Sequence, residues 1–453
     1  MTGADEVGRA RRQPDDSADP SPDGPVERAA ARLLDVDDVA VDKLPVEVAA
    51  NVPGNAAKQV LAMALQKAGD LIVDPRTVLA WVVTSVGAPA AVLGLLVPVR
   101  EAGSMLPQTA IAPAVRRRAI RKWIWVAGAA GQCLAVAAMA VLAATTRGAL
   151  AGWGILAALA VFAGARSLSS LTSKDVLGRT MPKGVRGRVT GSATVASGVV
   201  AITLGAALRA FGGEDAGIGT LAILLGAGAL AWAAAGSVFA TIVEAPGEAD
   251  EGGAGGGSRA LALLRDDPPF RRFVLARTLL LVSALSPPFV VALATEVGGA
   301  GLSGLGPFLI SSGVAALVGG RIWGNLADRS SRTTMTAAAG AASAVILALL
   351  LVLRFDGVRD VELVYPAAYL LLALAHTGVR VGRKTYIVDL AEGNQRTDYV
   401  AVSNSAMGVL LLVAGAVTAA IAQLGVEVAL AALALLGIAG VVVSRTLPEV
   451  SAT

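Results

Sequence analysis

An apolar stretch that ends in a basic knot occurs twice in this chain. The first copy runs from Val86 to Lys122 and the second from Val297 to Thr333. Arg118-x-x-Arg121 in the first falls on Arg329-x-x-Arg332 in the second, an offset of 211 positions (329 minus 118). A second echo has nearly the same offset: Lys174 and Arg186 fall on Lys384 and Arg396, 210 positions on (384 minus 174). The chain therefore reads as two similar halves, and such repeats in an apolar chain are a mark of transporter architecture. In lipid every backbone N–H and C=O must be satisfied internally, which leaves helices or closed barrels. Here the apolar runs are long enough for helices.

Only 16% of the residues are charged and 55% are hydrophobic, with a mean hydropathy of +0.66. Soluble chains carry roughly 25% charge, and runs of about 20 apolar residues account for the deficit. Aromatics make up 4%. The apolar mass is Ala, Val, Leu and Gly, which suits close helix packing in a bilayer. The net charge of +4 comes from short basic clusters between the runs, a topology signal and not a nucleic-acid footprint. With one cysteine, Cys133, and one histidine, His376, neither a disulfide framework nor a metal centre is expected. A nucleotide loop is missing, as is any nucleophile motif that could use His376, so the chain does not read as an enzyme and no cofactor is expected.

The expected fold is all-α and polytopic, with twelve transmembrane helices in two six-helix pseudo-symmetric halves. Residues 1–50 read as a disordered cytoplasmic tail, polar from Met1 to Pro25, with no signal-peptide core. Residues 51–243 form the first bundle, 244–272 a Gly-rich acidic cytoplasmic linker, 273–446 the second bundle and 447–453 a short tail. The first span is expected over about Ala56 to Val83 and the fourth over Leu150 to Leu171. Pro287-Pro288 should kink or break the seventh. Lys and Arg concentrate after spans two, four, eight and ten, while the opposite loops carry little beyond Arg147, Arg354 and Arg359. This bias places both termini in the cytoplasm of a plasma (inner) membrane.

The segment from Gly324 through Asp328 and Arg329 to Arg332 resembles the loop motif of the major facilitator superfamily: Gly, three residues, Asp, Arg, any residue, Gly, then basic residues. Ser331 stands where Gly is usual, and in the first copy Pro113 and Arg117 stand at the positions matching Gly324 and Asp328. The fifth span has Gly191, Gly198 and Gly205 but not the Gly-Pro-x-x-Gly-Gly run of that family's drug–proton antiporters. The resemblance implies a permease whose spans one, four, seven and ten line a central cavity. It also implies a loop, here Arg118, Arg121, Gly324, Asp328, Arg329 and Arg332, that caps helix ends and helps lock one gate state. Read without the family, the same loop is a topological anchor whose Asp328 and Arg329 can pair with helix termini.

Charges inside spans cost about 2.5 to 3.5 kcal/mol each on insertion scales and need a reason. Lys67, Asp70 and Asp74 are spaced to share one helix face, with Pro75 following. Arg100 and Glu101 lie at mid-depth in the second span, so antiparallel neighbours bring Asp70 to Arg100, or Lys67 to Glu101. Lys67, Asp70, Arg100 and Glu101 sum to zero charge and could be a structural network; alternatively Asp70 or Glu101 takes a proton during transport. Arg166, His376 and Arg380 sit in spans four and ten. They either give the cavity positive character or, for the arginines, reach to the surface, with His376 bonded to a carbonyl. The expectation is a secondary active transporter working by alternating access, coupled to protons, with a small anionic or zwitterionic substrate in a lipid bilayer. The other reading is a transporter-like membrane protein with a receptor or assembly role.

Overall fold

The computed structural model describes residues 44–182, 186–211, 218–246, 265–298, 302–327, 329–355, 357–390 and 395–450. The described residues are helical and contain no strand. A short helix, Val46–Ala49, precedes twelve spans. The first span is Val52–Ile72 continued by Val78–Ser85. The second to sixth are Ala90–Arg116, Lys122–Thr145, Gly148–Thr180, Arg186–Phe211 and Ile218–Ala240. The seventh comes in three pieces, Pro268–Leu279, Val282–Leu285 and Pro287–Gly298. The eighth to twelfth are Leu302–Ala327, Ser331–Val352, Val364–Leu390, Gln395–Ala422 and Val426–Arg445. Ten are long and apolar enough to cross a membrane; the first is interrupted and charged, and the fifth offers only a shorter apolar stretch, Gly198–Ala210. The twelve-helix expectation is met, and the chain is an integral membrane protein.

Two boundaries differ from expectation. The first span begins at Val52, where Pro53 and Asn51 open the helix. The fourth continues to Thr180, so its 33 residues measure about 50 Å, well beyond the hydrocarbon core of about 30 Å. Its last turns carry Asp175 and Arg179, which find partners in the basic loop and so stay helical past the membrane edge. The tail up to residue 43 and linker residues 247–264 lie outside the described residues.

The first and seventh spans are broken at matching places. Pro75 and Pro287 are 212 positions apart (287 minus 75), close to the repeat offset. A proline supplies no N–H and clashes with the preceding turn, so each helix stops and restarts there. At the first break Asp74 O accepts from the N–H groups of Thr77 and Leu79, which satisfies backbone the helix gave up.

Each half packs first on itself: the third helix against the fourth and sixth, the ninth against the tenth and twelfth. Between halves, the fifth runs along the eighth and the second along the eleventh. The last pieces of the broken spans also meet at the end remote from the basic loops, where Val78 to Val83 and Phe289 to Val291 are buried. Phe308 meets Trp81 there at a tilt and Tyr369 edge to face, with centroids 6.0 and 5.4 Å apart. At the basic-loop end the first pieces turn to their own halves, Val52–Ile72 packing chiefly on the fifth and sixth spans and Pro268–Leu279 on the eleventh and twelfth. The broken spans of the two halves therefore meet at one end of the bundle and pack on their own halves at the other.

Small residues make the seams. A Cβ added at Gly205 would lie 2.7 Å from Gly306 O, so the backbones approach too closely for any side chain. Gly205→Ala is expected to cost about 1–3 kcal/mol through overpacking. Gly226→Ala, at a position with nothing within 4 Å, should be neutral or stabilising. Thermal unfolding of the purified variants checks both.

Candidate functional site

Two carboxylates and a guanidinium of the first span, Asp70, Asp74 and Arg76, stand at the middle of the bundle with Glu101 of the second. The deepest is Asp70. Its Oδ1 accepts from Arg166 Nη1 at 2.8 Å and Arg100 Nη2 at 3.2 Å, and its Oδ2 lies 2.8 Å from Arg166 Nη2. The Arg166 contact is the two-point fork that makes guanidinium–carboxylate pairs strong and directional. Arg100 lies over the Phe162 ring at 5.0 Å and Arg166 over Trp232 at 5.5 Å. With its amide oxygen turned to the guanidinium, Gln66 accepts from Arg166 at 2.7 and 2.9 Å. Spans one, two, four and six are thus tied to one buried charge cluster.

The second cluster centres on Arg76, which follows Pro75. Glu101 Oε1 accepts from Arg76 Nη2 at 3.1 Å. Asp74 Oδ1 accepts from the Arg76 backbone N–H at 2.7 Å, while its Oδ2 is 4.0 Å from Arg76 Nη1. Two carboxylates therefore share one guanidinium. This corrects two expectations. Lys67 does not pair with Glu101, because Arg76 takes that partner. Lys67, Asp70 and Asp74 do not share a continuous helix face, because the helix ends at Ile72. The proposed four-residue neutral set is also incomplete, since Arg166 and Arg76 belong to it.

The second half contributes cations. Arg380 and Arg383 lie on the tenth span, and Arg277 on the seventh donates to Ser403 Oγ and, at 3.2 Å, to Asn404 Oδ1. Lys67, Arg380 and Arg383 have no ion pair among the described residues. His376 Nδ1 lies 3.3 Å from Ser283 Oγ, a hydroxyl of the seventh span and not the carbonyl expected. Gln108 donates to Ser104 O in its own helix.

Between the halves lies a cavity of about 240 Å³, walled by Lys67, Asp70, Asp74 and Arg76 from the first span, Ser312 and Ala316 from the eighth, and Tyr369, His376 and Arg380 from the tenth. A smaller space of about 100 Å³ shares Arg76, His376 and Arg380 and adds Glu101 and Arg383. Arg166 is not in the cavity wall: it stands behind Asp70, so its charge is met by that carboxylate. Arg380 is exposed to the cavity.

The basic loops bond within their own halves. Arg121 Nη1 donates to Asp175 Oδ2 at 2.8 Å, and the N–H groups of Arg121 and Lys122 donate to Glu244, which caps the third span. In the second half Arg332 donates to Leu447 O at 2.9 Å and lies 3.3 Å from Glu449, which also accepts from Ser330 at 2.6 Å. Each half thus clamps its knot with a glutamate just past its last span. Arg118 and Arg329 are exposed, a Cβ at Gly324 would meet nothing within 4 Å, and Asp328 lies outside the described residues. Among the described residues no group of three His, Cys, Asp or Glu could hold a metal ion.

Arg76, Arg277, Arg383, Glu244 and Glu449 were not among the residues singled out from sequence. The Asp74-Pro75-Arg76 run was the available signal for the first: a charge on each side of a helix-breaking proline at membrane depth.

No family model matches the sequence, and no curated protein matches it. Solved structures do. A mutant of the nucleoside transporter NupG superposes with a TM-score of 0.67 at 8% identity, over 87% of this chain and 99% of that one. A D-xylose–proton symporter gives 0.66 at 11%, over 87% and 98%. A bacterial homologue of the iron transporter ferroportin in its inward-facing state gives 0.58 at 16%, over 86% and 98%. The chain has the fold of the major facilitator superfamily.

Removing the Asp70 charge leaves two guanidinium groups facing each other in the interior. Breaking a buried pair from one side costs about 3–5 kcal/mol. Asp70→Asn is expected to lower the unfolding temperature and the yield of folded protein, and Arg166→Lys, which loses the fork, to do so less. Fluorescence-detected chromatography of heated samples checks the order.

Proposed function

We propose that this chain is a proton-coupled secondary transporter that moves a small anionic or zwitterionic solute by alternating access. One observation carries the reading: a cavity walled by charged residues of both halves, lying at the helix breaks of a two-half bundle whose broken spans meet at one end and pack on their own halves at the other. Rocking of one half against the other along the small-residue seams would open one end as it closes the other. With the basic loops in the cytoplasm, the bundle is in an inward-facing state, its termini are cytoplasmic, and the membrane is the plasma (inner) membrane. A nucleoside transporter and a D-xylose–proton symporter share the fold, which supports transport of a small solute and coupling to protons.

The carboxylates divide by their partners. Asp70 is held by two guanidinium groups on three contacts, with Lys67 nearby on its own helix, and serves as a fixed anchor. Asp74 and Glu101 share Arg76, and both are water-accessible through the cavity, at 27% and 31% side-chain exposure. One cation between two carboxylates leaves a negative charge that a proton can neutralise, and the pair would titrate as a unit. His376, Arg380 and Arg383 face this set from the tenth span. Proton binding would release Arg76 from one carboxylate, which gives the break in the first span two arrangements.

In proteoliposomes carrying a pH-sensitive dye, wild type should show proton movement when a transported solute is added. Glu101→Gln and Asp74→Asn should each abolish that movement while solute counterflow persists. Undiminished proton movement in both variants would contradict the coupling assignment.

A further inference from the structure

The charges around the cavity do not balance. On the walls of the two spaces Lys67, Arg76, Arg380 and Arg383 stand against Asp70, Asp74 and Glu101 (four less three leaves one), and Arg100 and Arg166, which stand behind Asp70, raise the excess to three. The imbalance has a side. All three carboxylates belong to the first half, where Arg76, Arg100 and Arg166 already engage them. The second half brings three arginines with no ion pair among the described residues, and Arg277 there is satisfied only by a neutral hydroxyl and an amide. Arg380 is exposed to the cavity and Lys67 and Arg383 are half-buried on its walls, and such cations at membrane depth without a counter-charge point to a bound anion.

The unpaired cations are also spread out. Lys67 lies on the first-half wall of the larger cavity, Arg380 on the wall common to both spaces, and Arg383 in the smaller one. A solute with two negative charges would match this spread, with one group toward Lys67 and Arg380 and the other toward Arg380 and Arg383. Arginine forks match the planar oxygens of carboxylates and phosphates. At about 240 Å³ the larger space is below the usual range for drug-sized ligands, which calls for a small molecule.

We infer that the transported solute is a small doubly charged oxyanion, a dicarboxylate or a phosphate monoester, held across the two halves by Lys67, Arg380 and Arg383. This rests on the transport reading above and narrows its substrate class.

The test uses the full purified chain and four probes at constant ionic strength: succinate, glycerol 3-phosphate, lactate and glycerol. Ligand binding to the folded state raises the unfolding temperature by mass action. At least one dianion should half-saturate the shift at a concentration tenfold or more below that of lactate, and succinate against glycerol 3-phosphate tells carboxylate from phosphate. Arg380→Gln, Arg383→Gln and Lys67→Met should each weaken the effect tenfold or more. Arg321→Gln, which changes an exposed cation of the eighth helix outside the cavity wall, should not. Lactate or glycerol matching both dianions, no shift with either dianion, or a dianion shift that survives Arg380→Gln and Arg383→Gln would overturn the proposal. Failure of the transport reading looks different: a dianion binds at these residues, yet proteoliposomes show no counterflow of it.

Discussion

An ionised carboxylate in the interior of a membrane bundle survives only when its partners are fixed before it is buried. Asp70 meets that condition through Arg100 and Arg166, and meeting it draws four spans together. The aromatic faces of Phe162 and Trp232 back the two guanidinium groups, so even their cationic surfaces are covered. Once this cluster is in place, the first span cannot slide or rotate freely. Its break, which begins just after Ile72, is then held at the centre of the molecule, and Asp74 and Arg76 line the space between the halves.

Each half packs extensively on itself, and the contact between halves follows two helix pairs and the broken spans. Within each half the basic knot is tied to a glutamate beyond the last helix, Glu244 or Glu449, so the loop moves with its own bundle. Between halves, small residues let backbones touch along two long seams, and an aromatic cluster closes one end. Neither seam relies on an ion pair among the described residues. The proposed rocking would therefore break packing contacts along these seams and not charge pairs among the described residues.

The architecture was legible because its causes are local. Apolar runs of membrane length, basic knots at a 211-residue offset and prolines at matching positions each act through their own segment, and the resulting twelve helices agree with them. The charge network was legible only in part, because pairing is decided by geometry between helices. Arg100 as an Asp70 partner follows from matching depth in adjacent antiparallel spans. The choice of Arg76 for Glu101 over Lys67 does not: it depends on the turn at Pro75, which swings a residue just outside the helix into the cavity. Helical spacing put Asp74 on the face of Lys67 and Asp70, but the helix ends first. Glu244 and Glu449 look like ordinary tail residues, and nothing short of the folded bundle brings each beside its knot, more than 110 residues away in sequence.

The central claim is that the two ends of the bundle open and close in alternation. Spin labels at Arg117 and Arg329, exposed in the basic loops of opposite halves, report one end. Labels at Leu150 and Leu363, exposed near the other, report the second. Cys133 is first replaced by Ser so that only the labels react. Electron–electron distance measurements in reconstituted protein should give two populations for each pair, shifting in opposite directions as pH falls or a binding solute is added. A single distance for both pairs, unmoved by either, would contradict alternating access.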